Sequence, residues 1–165
     1  MHMTASINLR GVYVPLITPY EKDGSVSVEA IESLCHTYID AGVAGICALG
    51  TTGEVPLLTA QERQLVIDTT ARVCAERGVQ LIVGAGTNNT AATVDAVKAL
   101  ARTRALVAAL IVVPYYLRPS EAGILAHYRA VAAASPVPVI GYNIPYRTGR
   151  AMSAKRSAPP ASRSG

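Results

Sequence analysis

The chain has 165 residues, of which 50% are apolar and 16% charged, which excludes a disordered, highly charged polypeptide and suggests one α/β domain. No run approaches the roughly 18 apolar residues of a membrane span, and the opening MHMTASINLR lacks a signal peptide's apolar core, so the expectation is a cytoplasmic protein with no membrane partner. The net charge of +4 is a property of the end of the chain: Arg150, Lys155, Arg156 and Arg163 supply it, residues 1–149 are neutral, and no basic stripe suits nucleic acid.

Five short apolar runs, near 12–18, 45–49, 81–84, 109–113 and 137–142, are continuous rather than alternating, as in parallel strands covered on both faces. Amphipathic stretches with legible ends separate them. Ser27 opens the first, with Val28, Ile31, Leu34, Tyr38 and Ile39 on one face and Gly42 as its stop. Thr59 and Glu62 form a capping box for the second, which ends near Gly78. Thr90 is the expected cap of the third, and Ser120, after Pro119, opens the fourth.

The runs recur at close to the roughly 31 residues per unit of a (β/α)8 barrel. A doubly wound sheet is the rival, but no glycine-rich dinucleotide fingerprint follows the first run, and Gly84-Ala85-Gly86 lacks the third glycine. The expected fold is therefore α/β: the first five strands and four helices of a (β/α)8 TIM barrel, incomplete, over residues 1–149. Residues 150–165, with Pro159-Pro160 and many Ser, Ala and Arg, are expected to be a disordered basic tail. Cys35, Cys47 and Cys74 are far apart and not in metal-ligand spacing, so they read as buried thiols; no metal and no cofactor are expected.

In parallel α/β folds chemistry sits at the C-terminal ends of the strands. After the second run comes Gly50-Thr51-Thr52-Gly53-Glu54, after the fourth Pro114-Tyr115-Tyr116-Leu117-Arg118-Pro119, and after the fifth Tyr142-Asn143-Ile144-Pro145-Tyr146-Arg147-Thr148-Gly149. The glycines permit tight turns and close backbone approach. Thr51 and Thr52 suit a small carboxylate or a solvated turn; Tyr142 suits a proton shuttle or rim packing; Arg147 suits a carboxylate clamp or a surface ion pair. Glu54 reads as a local hydrogen-bond partner.

GTTGE, PYYLRP and YNIPYRTG, in that order and at those strand ends, resemble the dihydrodipicolinate synthase / N-acetylneuraminate lyase family over about residues 10–149, as does the opening VYVPLITPY. The double tyrosine and the Arg-Thr-Gly resemble its synthase branch. The resemblance implies a lyase of the class I aldolase type that condenses pyruvate, held on a lysine as a Schiff base, with aspartate semialdehyde, on the route to diaminopimelate and lysine. It implies a homo-oligomer, with Thr51, Tyr142 and Tyr116 as a proton relay and Tyr116 supplied by a neighbouring subunit. Thr52 would bind the pyruvate carboxylate and Arg147 the semialdehyde carboxylate. An aldolase of the family with another aldehyde, or a noncatalytic remnant, are the alternatives.

The chain departs from the pattern in three places. The family's nucleophilic lysine lies on a sixth strand, whereas the lysines here are Lys22, Lys98 and Lys155, and a solvated tail lysine stays protonated near neutral pH. The chain is therefore expected to be truncated and inactive alone. ARTRALVAAL stands where the family has a Gly-Ala-Asp turn before the fourth strand, and the residues after Arg147 diverge abruptly.

Overall fold

The computed structural model describes residues 7–152. Five strands, β1 (Tyr13–Pro15), β2 (Gly45–Ala48), β3 (Gln80–Gly84), β4 (Leu106–Val112) and β5 (Val139–Tyr142), alternate with α1 (Val28–Asp40), α2 (Ala60–Arg77), α3 (Thr90–Ala99) and α4 (Glu121–Ala134), and a single-turn helix α5 (Pro145–Thr148) follows β5. The strands form one parallel sheet in the order β1-β2-β3-β4-β5. Each strand pairs with the next in sequence, so the winding never reverses. A doubly wound sheet needs such a reversal; this order is that of a (β/α)8 barrel wall, of which these five strands form part.

Local chemistry accounts for the helix ends. The Ser27 hydroxyl accepts from Ala30 N–H at 3.3 Å, and Gly42, one residue beyond the C-cap Ala41, takes φ +84°. Thr59 and Glu62 make a reciprocal capping box, α2 closes on Gly78 at φ +67°, and the Ser120 hydroxyl accepts from Gly123 N–H at 3.1 Å. The third helix differs from expectation. Asn89, not Thr90, is its cap, accepting from Ala92 N–H at 3.1 Å, while Thr90 is already helical. The short Asn side chain caps as well as a hydroxyl does, which leaves the Thr90 hydroxyl free to bond elsewhere.

Two strands also differ. β1 is shorter than its apolar run, ending at Pro15, although Leu16 N–H still reaches Cys47 O at 2.9 Å. β4 begins three residues earlier than expected, at Leu106. Ala105 makes the entry turn at φ +58°, and its carbonyl accepts from Leu81 N–H at 2.9 Å. The pairing then steps from Leu81↔Leu106 to Ile82↔Ala108, so Val107 is bulged out. Ala in the left-handed region costs about 1 kcal/mol that Gly avoids. The junction therefore carries strain that a glycine at 105 would relieve.

The core lies between the sheet and the helices: Ile46, Leu81, Val83, Ala109 and Ile111 from the strands meet Ile31, Cys35, Val66, Val73, Val97 and Val131 from the helices. Burial pushes the Cys35 thiol up to about 11 and Cys74 to about 12, so both stay neutral and inert. Between α1 and α2 ion pairs join Arg72 to Glu32 and Arg77 to Asp40, and Arg72 also pairs with Glu76 one turn on within α2. No helix of the described residues is long and apolar enough to cross a membrane. Of the tail expected from residue 150, Arg150–Met152 are described; the remainder, with Lys155, lies outside the described residues.

His127 is the one buried polar side chain of the described residues with an unpartnered atom: it is 3% exposed, its Nδ1 meets Thr90 Oγ1 at 3.0 Å, and Nε2 has no partner. Desolvation holds its pKa below the ordinary histidine value. The native state therefore binds fewer protons than the unfolded chain. The histidine's contribution is intact above about pH 6.5 and lost as pH falls through that value. Thermal melts at pH 7.5, 6.5 and 5.5 should show the midpoint falling with pH, and His127→Leu should flatten that slope. An unchanged slope in the variant would contradict the assignment.

Candidate active site

The motif segments all emerge at the C-terminal ends of the strands. After β2 the chain turns through Leu49 at φ +56°, a 3-10 turn over Thr51–Gly53, and Glu54 at φ +53°. After β4, Tyr116 and Arg118 take φ +70° and +50°. Of the five non-glycine residues with positive φ among the described residues, these four lie in the motif loops; the fifth is Ala105. Strained backbone of this kind concentrates at functional sites, where the surrounding fold holds it in place.

Close packing holds it here. A Cβ on Gly84 would lie 1.9 Å from the Leu49 carbonyl oxygen, so only glycine lets the end of β3 reach the backbone that begins GTTGE. A Cβ on Gly86 would lie 2.6 Å from Val112 N. Gly84-Ala85-Gly86 is thus a packing device for adjacent strand ends, which explains the two glycines without a phosphate. On the other side, buried Thr18 at the end of β1 donates to Gly53 O at 2.7 Å. The GTTGE turn is pinned from both neighbours.

Thr51 Oγ1 lies 3.5 Å from the Tyr142 hydroxyl, across the rim from β2 to β5 and 91 residues away in sequence. This is the pair of expected site residues that the structure brings together. Thr52 is exposed beside Thr51. Arg147 is exposed on α5, its guanidinium 5.2 Å from the centroid of the Tyr146 ring. Tyr116 is 85% exposed and makes no hydrogen bond to Thr51 or Tyr142. Glu54, expected as a local hydrogen-bond partner, occupies a left-handed turn position between two 3-10 turns, where its N–H donates to Thr51 O at 3.2 Å and its carbonyl accepts from Leu57 N–H at 2.9 Å. Beneath the rim, Tyr128 donates to Ile111 O at 2.7 Å, and burial pushes its phenol up to about 12. Burial likewise pushes the Cys47 thiol on β2 up to about 11, which leaves it neutral. Among the described residues no cluster of three or more His, Cys, Asp or Glu could hold a metal.

Sequence reasoning missed Thr18, Gly84, Asn143 and Thr148, which touch the motif loops from beneath or close them. Their signal was weak, since a single Thr or Gly at a strand end is common; only three-dimensional proximity distinguishes them.

A parallel sheet wound in sequence order, with a hydroxyl pair and an exposed guanidinium on its C-terminal rim, defines the class: half of a (β/α)8 barrel. Residues 8–158 match the model of the dihydrodipicolinate synthetase family, and the chain belongs to that family. It is 42% identical over 140 residues to a 4-hydroxy-tetrahydrodipicolinate synthase of Shewanella baltica, covering 85% of this chain and 47% of that one. With the synthase of Ligilactobacillus salivarius it shares 38% over 148 residues, 88% of this chain and 51% of the relative. The chloride-inhibited synthase of Acinetobacter baumannii, solved with pyruvate, superposes with a TM-score of 0.86 at 37% identity, covering 91% of this chain and 51% of that one. The chain spans about half the length of the relatives it matches.

If Gly84 is required for the approach to Leu49, Gly84→Ala should displace the GTTGE turn and destabilise the fold by about 3 kcal/mol. Denaturant unfolding checks this, with Gly123→Ala as the comparison, a helical position without positive φ where a Cβ meets only ordinary contacts at 3.4 Å or more. Equal, small effects at both positions would contradict the packing argument.

Proposed function

We propose that this segment is the N-terminal half of a 4-hydroxy-tetrahydrodipicolinate synthase, acting on pyruvate and aspartate semialdehyde. The observation that carries the reading is the 3.5 Å approach of Thr51 Oγ1 to the Tyr142 hydroxyl at the strand ends. A phenol both donates and accepts a proton. Tyr142 is therefore suited to deliver a proton to the hydroxyl that leaves as water when a carbinolamine becomes an imine, and Thr51, whose hydroxyl donates to the Tyr142 oxygen, to return a proton to it. Tyr116 is suited to complete that relay in a neighbouring subunit of a homo-oligomer: with 85% of its surface free, it is available to a second chain. Thr52, beside Thr51 on a tight turn, supplies a hydroxyl for the pyruvate carboxylate. Arg147 presents a planar fork that matches the semialdehyde carboxylate. The same arginine favours the synthase over aldolases whose aldehyde carries no such group.

The amine must come from elsewhere. A Schiff-base lysine has to be neutral near pH 7, which requires desolvation, and Lys22 and Lys98 are both exposed, in a turn and on α3. Lys155 follows Ser and Ala and precedes Arg, with no apolar run to desolvate it, so on this reading the nucleophile is supplied by the other half of the family's barrel, and the 165-residue chain by itself should not catalyse the condensation. Pyruvate and borohydride should leave its mass unchanged. Joined to the C-terminal half of the Shewanella relative, it should gain a trappable lysine, and Tyr142→Phe in that fusion should lower kcat about 100-fold. An adduct with turnover in the chain alone, or an unchanged kcat in the Tyr142→Phe fusion, would overturn the reading.

A further inference from the structure

The segment between Asn143 and Met152 is closed at its base by one side chain. Asn143 Nδ2 donates to Met152 O at 3.3 Å, and Met152 N–H donates to Asn143 Oδ1 at 3.1 Å. The amide therefore does what a neighbouring strand would do, engaging donor and acceptor of one residue at once. Because the bonds are to backbone, the residue type at 152 is immaterial to them, so the segment closes although the sequence after Arg147 departs from the family.

The interior of the closed segment is fastened by Thr148, whose side chain belongs to a residue only 2% exposed. Its hydroxyl lies 2.8 Å from Arg150 O and 3.2 Å from Ile144 O. Arg147 N–H reaches Ile144 O at 3.0 Å and Gly149 N–H reaches Pro145 O at 2.8 Å, closing the turn of α5, and Gly149 continues it at φ +69°. From the neighbouring loop, Arg118 rests on that glycine: its Nε lies 2.8 Å from where a Cβ would stand. Any other residue at 149 would push Arg118 away. The polar side chains of YNIPYRTG beyond Tyr142 are thus used in closure except those of Tyr146 and Arg147, which are left exposed with the guanidinium over the ring.

We infer that Asn143 and Thr148, braced by Arg118 on Gly149, are positioning residues that hold Arg147 at the rim. This rests on the carboxylate-binding role proposed for Arg147 and adds the device that fixes it. An Arg on a free loop would lose several rotatable bonds on meeting a carboxylate; one on a closed turn loses fewer.

Two measurements on the full 165-residue chain separate the parts. In amide hydrogen exchange, Asn143→Ala should speed exchange at residues 147–149 at least tenfold while β3 and α2 keep their protection. Asn143→Asp, which retains the acceptor for Met152 N–H, should have a smaller effect, and Arg147→Ala none. In the second, the Arg147 Nε–H resonance is followed as propionate is added. The wild-type shift should shrink at least twofold in Asn143→Ala, and Thr148→Val should behave likewise. Unchanged exchange at 147–149, or loss of protection spread equally across the sheet, would overturn the clamp. Faster exchange with no propionate-dependent shift even in the wild type would instead overturn the Arg147 assignment and the positioning role with it.

Discussion

Parallel pairing in sequence order is the constraint from which the rest follows. Because β1 to β5 all run the same way and each lies beside its successor, the ends of β2, β4 and β5 reach one rim. Residues as distant in sequence as Thr51 and Tyr142 are brought together there. An antiparallel sheet would send alternate strand ends to opposite rims and separate GTTGE from at least one of the tyrosines. The helices satisfy the same constraint from outside. Each crossover needs a helix, and caps at Ser27, Thr59, Asn89 and Ser120 set where each helix leaves the rim side.

The rim is held by close backbone approach more than by side-chain bulk. Gly84 against Leu49 O and Gly149 beneath Arg118 are contacts that a Cβ would break, and they sit next to the left-handed residues Leu49, Tyr116 and Arg118. The strain at those positions is offset by the packing that enforces it. At the opposite end of the sheet, Ala105 has the same strain with no site beside it. There the left-handed backbone is held without a glycine, its carbonyl tied to Leu81 N–H.

The fold was legible because continuous apolar runs and helix caps are local signals. Ser27, Thr59 with Glu62, Gly78 and Ser120 behave in the structure as their residue types dictate. Asn89 for Thr90 was a choice between adjacent capping residues, and local sequence does not decide it. The early start of β4 was hidden by the charged stretch before it and by a bulge, which depends on the partner strand. At the site, the motif residues are set by local turns and strand ends: Thr51 meets Tyr142, and Thr52, Tyr116 and Arg147 are exposed. The residues that close the loops were not legible, because Asn143 bonding to Met152 and Thr18 to Gly53 are contacts between positions that no period links.

The central claim is that Thr51 and Tyr142 share one rim of a parallel sheet. Its most direct test is a nuclear Overhauser measurement on the chain with labelled Thr methyl groups and Tyr rings. The account predicts a cross-peak between the Thr51 methyl and the Tyr142 ring protons, lost in Tyr142→Ala while the methyl contacts within the β2 loop persist. A folded chain in which the Thr51 methyl shows only those local contacts would contradict it.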